Sequence, residues 1–85
     1  MKTMKVKRDT DVAGLSQALS NCLRTEGGVI VRAVGMEASY VMLKAVAALE
    51  GYTDQPVFSV SSFFASIGSG ETRLTGIQLI LQRSA

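Results

Sequence analysis

The sequence predicts an α/β domain of the α+β two-layer type: a four-stranded mixed sheet with two helices on one face, in the order β-α-β-α-β-β. Three observations predict it. Gly35 to Gly51 reads as one Ala-rich helix bracketed by glycines and fed by the β-branched run Val29–Val34. Two strand–helix units with short connections call for right-handed crossovers, which place both helices on the same side of the sheet. Two further strand-like runs, separated by the glycines of Ser66–Glu71, close the chain as an antiparallel hairpin. The simplest packing sets the first strand beside the second and the fourth between the second and third. The whole chain, 1–85, is expected to form a single domain.

Each element has its own signal. Met4-Lys5-Val6-Lys7 alternates apolar and basic residues, the period-two pattern of a half-buried strand. Asp9-Thr10-Asp11 supplies cap chemistry, with Asp11 as the N-cap. Val12, Leu15, Leu19, Cys22 and Leu23 then recur at helical spacing until Gly27-Gly28 stops the helix. In the second strand Val29, Val31 and Ala33 share one face, with Ile30, Arg32 and Val34 on the other. The second helix, about Met36 to Glu50, carries the apolar stripe Ala38, Val41, Met42, Ala45, Val46 and Leu49, with Gly51 as its C′ residue. Glu37, Tyr40 and Lys44 lie on its polar side. Asp54-Gln55-Pro56 is a turn. Val57–Ala65 and Leu74–Gln82 read as the last two strands, Ile77, Leu79 and Leu81 facing one way and Gln78, Ile80 and Gln82 the other.

A chain of 85 residues buries only about 60–65% of its unfolded surface. Its apolar content of 47% is high for that size, and its mean hydropathy is positive. Apolar side chains must therefore reach the surface, and self-association is the default expectation. The lysine-rich start lacks the apolar core of a signal peptide, and no apolar run approaches the ~20 residues that span a bilayer. One cysteine, Cys22, forms no internal disulfide, so a reducing cytoplasm is expected.

The inventory excludes more than it proposes. Without histidine there is no Ser-His-Asp or Cys-His nucleophile and no His-ligated metal. A single cysteine excludes Cys-rich zinc sites. The seven carboxylates are scattered, and only Asp9 and Asp11 are close in sequence. Gly68-Ser69-Gly70 lacks the Lys-Ser/Thr and the helix of a phosphate loop and reads as a hairpin turn. The expectation is a protein without enzymatic activity, catalytic residues, metal, cofactor or small-molecule substrate.

Lys5, Lys7 and Arg32 stand out on the sheet face that the helices leave bare, where Ile30, Val34, Ile80, Gln78 and Gln82 also fall. Parallel neighbouring strands bring the three cations close enough to contact phosphates. The same residues also serve simply to solvate an open face and to blunt an edge strand. Net charge is +2, which permits nucleic acid and decides nothing. Phe58, Phe63 and Phe64 offer rings for stacking on unpaired bases. Adjacent Phe63 and Phe64 point to opposite faces, so at most one lies in the core. The exposed one reads first as an oligomer contact.

Order and residues together resemble the stage V sporulation protein S family, a bacterial group with the Alba-like fold. The resemblance runs from Lys5-Val6 through Leu23-Arg24 and Gly27 to Arg32-Ala33-Val34-Gly35. It is sharpest at Lys44-Ala45-Val46-Ala47 followed by Gly51, and closes with Gly70-Glu71 and the apolar final strand. The same element order occurs in Alba chromatin proteins and in the C-terminal domain of a bacterial translation initiation factor. The resemblance implies a homodimer or higher homo-oligomer that binds DNA or RNA, with a sporulation or developmental role. It also implies that Lys7-Arg8 match a basic pair at the end of the first strand, that Arg73 stands where Alba proteins extend a basic hairpin, and that Lys44 is a position the family keeps as lysine. The chain departs from the Alba pattern at two points: Asp9 and Asp11 follow Lys7-Arg8, and Ser66–Glu71 has no basic residue.

The reading is therefore weak, largely sequence-independent nucleic-acid binding through Lys5, Lys7, Arg8, Arg32, Lys44 and Arg73. Three or four phosphate contacts predict a salt slope of roughly −3 and micromolar or weaker affinity at physiological salt. The alternative is a regulatory or structural protein–protein module that binds no nucleic acid. A third reading, an anion or small-molecule binder at the helix N-terminus behind Gly35, stands behind both.

Overall fold

The computed structural model describes residues 1–49, 56–67 and 72–83. Its elements are β1 (Lys2–Val6), α1 (Val12–Glu26), β2 (Gly28–Val34), α2 (Met36–Ala48), β3 (Val57–Ile67) and β4 (Thr72–Gln82). The sheet order is β1-β2-β4-β3. β1 pairs parallel to β2, and β4 pairs antiparallel to both β2 and β3. This is the predicted topology, with the closing strand inserted at the centre.

One core sits between sheet and helices. Leu19 and Leu23 of α1, Met42 and Ala45 of α2, Val29 and Val31 of β2 and Leu79 and Leu81 of β4 are buried together. The alternation read from β2 and β4 holds: Ala33 joins the buried set and Ile77 packs against it, while Ile30, Val34 and Ile80 remain half-buried on the helix-free face. Ser16 and Ser20 of α1 and Ser39 of α2 are buried as well. An apolar-periodicity reading passes over serine, and the three were missed for that reason.

Local chemistry sets the helix ends. The Asp11 carboxylate accepts from the Gly14 N–H at 2.8 Å, the predicted N-cap. Gly27 ends α1 at φ +81, a conformation that a side chain would strain. Gly35 opens α2 at φ +90 without a side-chain cap. The far end of α2 differs from expectation. The helix stops at Ala48, and Leu49 takes the left-handed conformation (φ 31) while donating its N–H to the Ala45 carbonyl at 3.0 Å. Leu49 completes the apolar stripe and is buried; anchoring it in the core outweighs the backbone cost, of order 1–2 kcal/mol. The expected C′ residue, Gly51, lies outside the described residues, as does the turn at Asp54-Gln55.

Strand limits shift too. β1 begins at Lys2 and ends at Val6, so Lys7 is not a strand residue on the bare face. Its N–H donates to Thr10 Oγ1 at 2.9 Å and its carbonyl accepts from the Thr10 N–H at 3.1 Å, which turns the chain towards α1. β3 runs through Ser66 to Ile67 and β4 starts at Thr72, because the two strands keep pairing to the rung Ile67↔Thr72. Residues 68–71, where the hairpin turn was placed, lie outside the described residues.

Candidate nucleic-acid interface

The candidate site forms where parallel strands β1 and β2 end. Lys5 and Arg32 share one rung. Their neighbours Val6 and Ala33 are buried under the helices, so both cations point to the helix-free face. The rung continues through Gln78 to Ser61. The Arg32 Nε–H donates to Gln78 Oε1 at 2.7 Å, and Gln78 Nε2 reaches Ser61 Oγ at 3.4 Å. The Arg32 guanidinium carbon lies 4.9 Å from the centroid of the Phe63 ring, a cation–π distance. Arg32 is thus held on two sides.

Phe63 owes its position to a glycine. It faces Gly76 across the hairpin, and a Cβ at 76 would come within 2.4 Å of the ring carbons. The ring therefore lies over bare backbone, close to Arg32.

Beyond this rung lies an open cleft of about 870 Å³, lined by Lys5, Lys7, Arg8, Arg32, Phe63 and Phe64 among others. The Lys7–Thr10 turn carries Lys7 and Arg8 to its rim. β2 stops at Val34 whereas β3 continues to Ile67, so both faces of the hairpin border the cleft, and Phe63 and Phe64 line it from opposite sides of β3. Val34 and Ala38 add apolar lining, and Glu37 of the first turn of α2 is the carboxylate among the lining residues. In open α/β sheets the space beyond the carboxyl ends of parallel strands is the usual place for a ligand. The first-turn N–H groups of α2 add positive potential there.

The six predicted site residues do not all meet. Lys5, Lys7, Arg8 and Arg32 converge on the cleft. Lys44 is absent from its lining: it lies on the outer side of α2, with its ammonium 5.3 Å from the Tyr40 ring centroid. Arg73 stands in β4 opposite Ser66, and its side chain lies outside the described residues. The sequence reading missed Gln78, Ser61 and Gly76 as the supports of Arg32 and Phe63. A glycine inside a strand pattern signals close approach of another group, so Gly76 was a legible cue. Neither Phe63 nor Phe64 belongs to the core: Phe63 is half-buried and Phe64 is 68% exposed.

Among the described residues no group of His, Cys, Asp and Glu could hold a metal ion, and no helix is long and apolar enough to cross a membrane.

The two-layer βαβαββ architecture, with its central closing strand, is an Alba-like fold. The structure of Alba from Thermoplasma volcanium superposes with a TM-score of 0.62 at 13% sequence identity, covering 95% of this chain and 99% of that one. A likeness at that identity is one of fold. The profile of the stage V sporulation protein S family matches residues 2–84, and the chain belongs to that family. A comparison with curated protein sequences gives no match.

Proposed function

We propose that this protein binds nucleic acid weakly and without strong sequence preference, as a non-enzymatic homo-oligomer. The observation that carries the reading is the convergence of Lys5, Lys7, Arg8 and Arg32 on one cleft at the carboxyl ends of β1 and β2. Four cations are a phosphate-binding complement. Gln78 and Phe63 hold Arg32 in place, which lowers the ordering cost of contact. Membership of a sporulation family and the Alba-like fold agree with this reading, and a developmental role follows from the family. Lys44 and Arg73 are secondary contacts in it, on a second helix face and on the hairpin.

The test is fluorescence anisotropy of a labelled oligonucleotide at two salt concentrations. Binding should weaken with a log–log slope of roughly −3 to −4, and the double substitution of Lys7 and Arg8 by Ala should remove about two from that slope. No binding at ~100 μM protein in low salt, where even non-specific affinity is measurable, would end the reading.

A second reading rests on a different observation. Met36, Tyr40 and Leu43 are exposed at i, i+4 and i+7 along α2, and Val60 is exposed on the helix side of the sheet where the helices do not cover β3. This apolar surface fits self-association, the oligomeric part of the first reading. It would also serve a protein partner if the cations bind nothing.

A further inference from the structure

We infer that the cleft accepts an unpaired nucleotide, so that the protein prefers single-stranded to double-stranded nucleic acid; this deepens the nucleic-acid reading and rests on it. Three features of the cleft point to a base rather than to phosphates alone.

First, the lining combines rings with cations. Phe63 and Phe64 border the same space as Lys5, Lys7, Arg8 and Arg32. A site that met only the backbone of a duplex would need the charges and not the rings, because stacked, paired bases present no face to the protein.

Second, one side of the cleft is a prebuilt stacking pair. Phe63 lies over Gly76, Arg32 lies over Phe63, and Gln78 fixes the guanidinium from the side. Unpaired bases stack both on aromatic rings and on guanidinium planes. Phe64, largely exposed on the opposite face of β3, supplies a second ring to the same cleft. A base stacks on the Arg32–Phe63 pair, its flanking phosphates meet Lys5, Lys7 and Arg8, and a neighbouring base reaches Phe64 around the end of β2.

Third, shape and charge disfavour a duplex. The cleft is concave and about 870 Å³, within the roughly 300–1,000 Å³ of sites that enclose small ligands. A double helix offers a convex surface far larger than this. In the hairpin sequence Val57–Gln82 the one basic residue is Arg73, too few cations for a second phosphate row. Beyond Arg32 the helix-free face continues with half-buried Ile30 and Ile80, an apolar track on which further bases of a single strand can lie.

The experiment uses the full chain with three labelled 12-mers: oligo-dT, oligo-U and a mixed-sequence DNA duplex. Anisotropy should show at least one of the single strands binding about tenfold or more tightly than the duplex at the same salt. The chain contains no tryptophan, so Phe64→Trp introduces a unique fluorophore, and its emission should be quenched by the preferred single strand and not by the duplex. Phe64→Leu, which keeps apolar bulk, should reduce the single-strand to duplex affinity ratio by about fivefold or more, with an unchanged circular dichroism spectrum. A duplex bound as tightly as the better of the two single strands, or Phe64→Trp emission insensitive to both single strands, overturns the inference while leaving phosphate binding intact. No binding of any of the three ends both.

Discussion

Phe63 lies against Gly76, its partner across the hairpin, so closely that a Cβ at position 76 would stand 2.4 Å from two ring carbons and 2.9 Å from the Ala33 carbonyl oxygen. The ring could swing away, but the carbonyl belongs to β2 and is fixed by the sheet. Gly76→Ala should therefore destabilise the fold by about 1–3 kcal/mol, read as a lower urea midpoint at unchanged m-value. Adding Phe63→Leu should recover part of the loss and not all, because the Ala33 contact remains. A Gly76→Ala protein as stable as the parent would refute this account of the rung.

Arg32 and Gln78 separate charge from placement. Arg32→Gln removes one phosphate contact and should lower the salt slope by about one. Gln78→Leu keeps every charge but frees the guanidinium from its 2.7 Å hydrogen bond. It should leave the slope unchanged and weaken binding by about two- to tenfold, the cost of ordering one long side chain. If Gln78→Leu shifts the slope as much as Arg32→Gln does, the hydrogen bond is not what positions Arg32.

Much of the fold was legible because its signals are periodic. Val29, Val31 and Ala33 alternate with Ile30, Arg32 and Val34, and that alternation fixed which face of β2 meets the helices; crossover handedness set both helices on that face, and the simplest packing placed β4 at the centre. The basic rung was legible for the same reason, since parallel pairing sets Lys5 beside Arg32. What escaped depends on contacts between residues far apart in sequence. Arg32 and Gln78 are 46 positions apart, and nothing local to Gln78 announces its partner. Leu49 ends α2 because the core holds its side chain, against its own backbone preference, and a reading that expects glycine at a helix end places the stop two residues later. Lys44 shares the sign of charge of the rung residues, but its helix turns it away from them.

Cys22 offers a pH test of the core. Burial pushes its thiol above the ordinary value of 9.0, and the nearby Glu26 carboxylate adds to the shift while Lys2 opposes it. A raised acid in the folded state means that the unfolded chain ionises first. The contribution is fully present below pH 9 and is lost as pH rises from there through the folded value. The urea midpoint should therefore fall above pH 9 in the parent protein, and fall less steeply in Cys22→Ala. Alkylation by iodoacetamide at pH 8 should be slow in the native protein and rapid in urea, since the thiolate is the reacting form. Fast native labelling would show that the thiol is neither buried nor held protonated.

The exposed stripe on α2 makes the last prediction. Met36 is 87% exposed, Tyr40 62% and Leu43 49%, and Val60, at 62%, lies on the uncovered helix side of β3. A small fold with this much apolar surface gains stability by covering it. Sedimentation velocity should show a dimer or larger assembly at ~10 μM, within the concentration range where interfaces of about 800 Å² per partner associate. Leu43→Glu puts a charge in the middle of the stripe and should yield a folded monomer, because the desolvation of an unpaired carboxylate outweighs the apolar gain at that position. The same variant should keep its salt slope for oligonucleotide binding per chain, since no cation has moved, and should bind more weakly overall, since one assembly no longer presents several clefts to one strand. A parent protein that stays monomeric at ~100 μM would instead assign the stripe to a different partner.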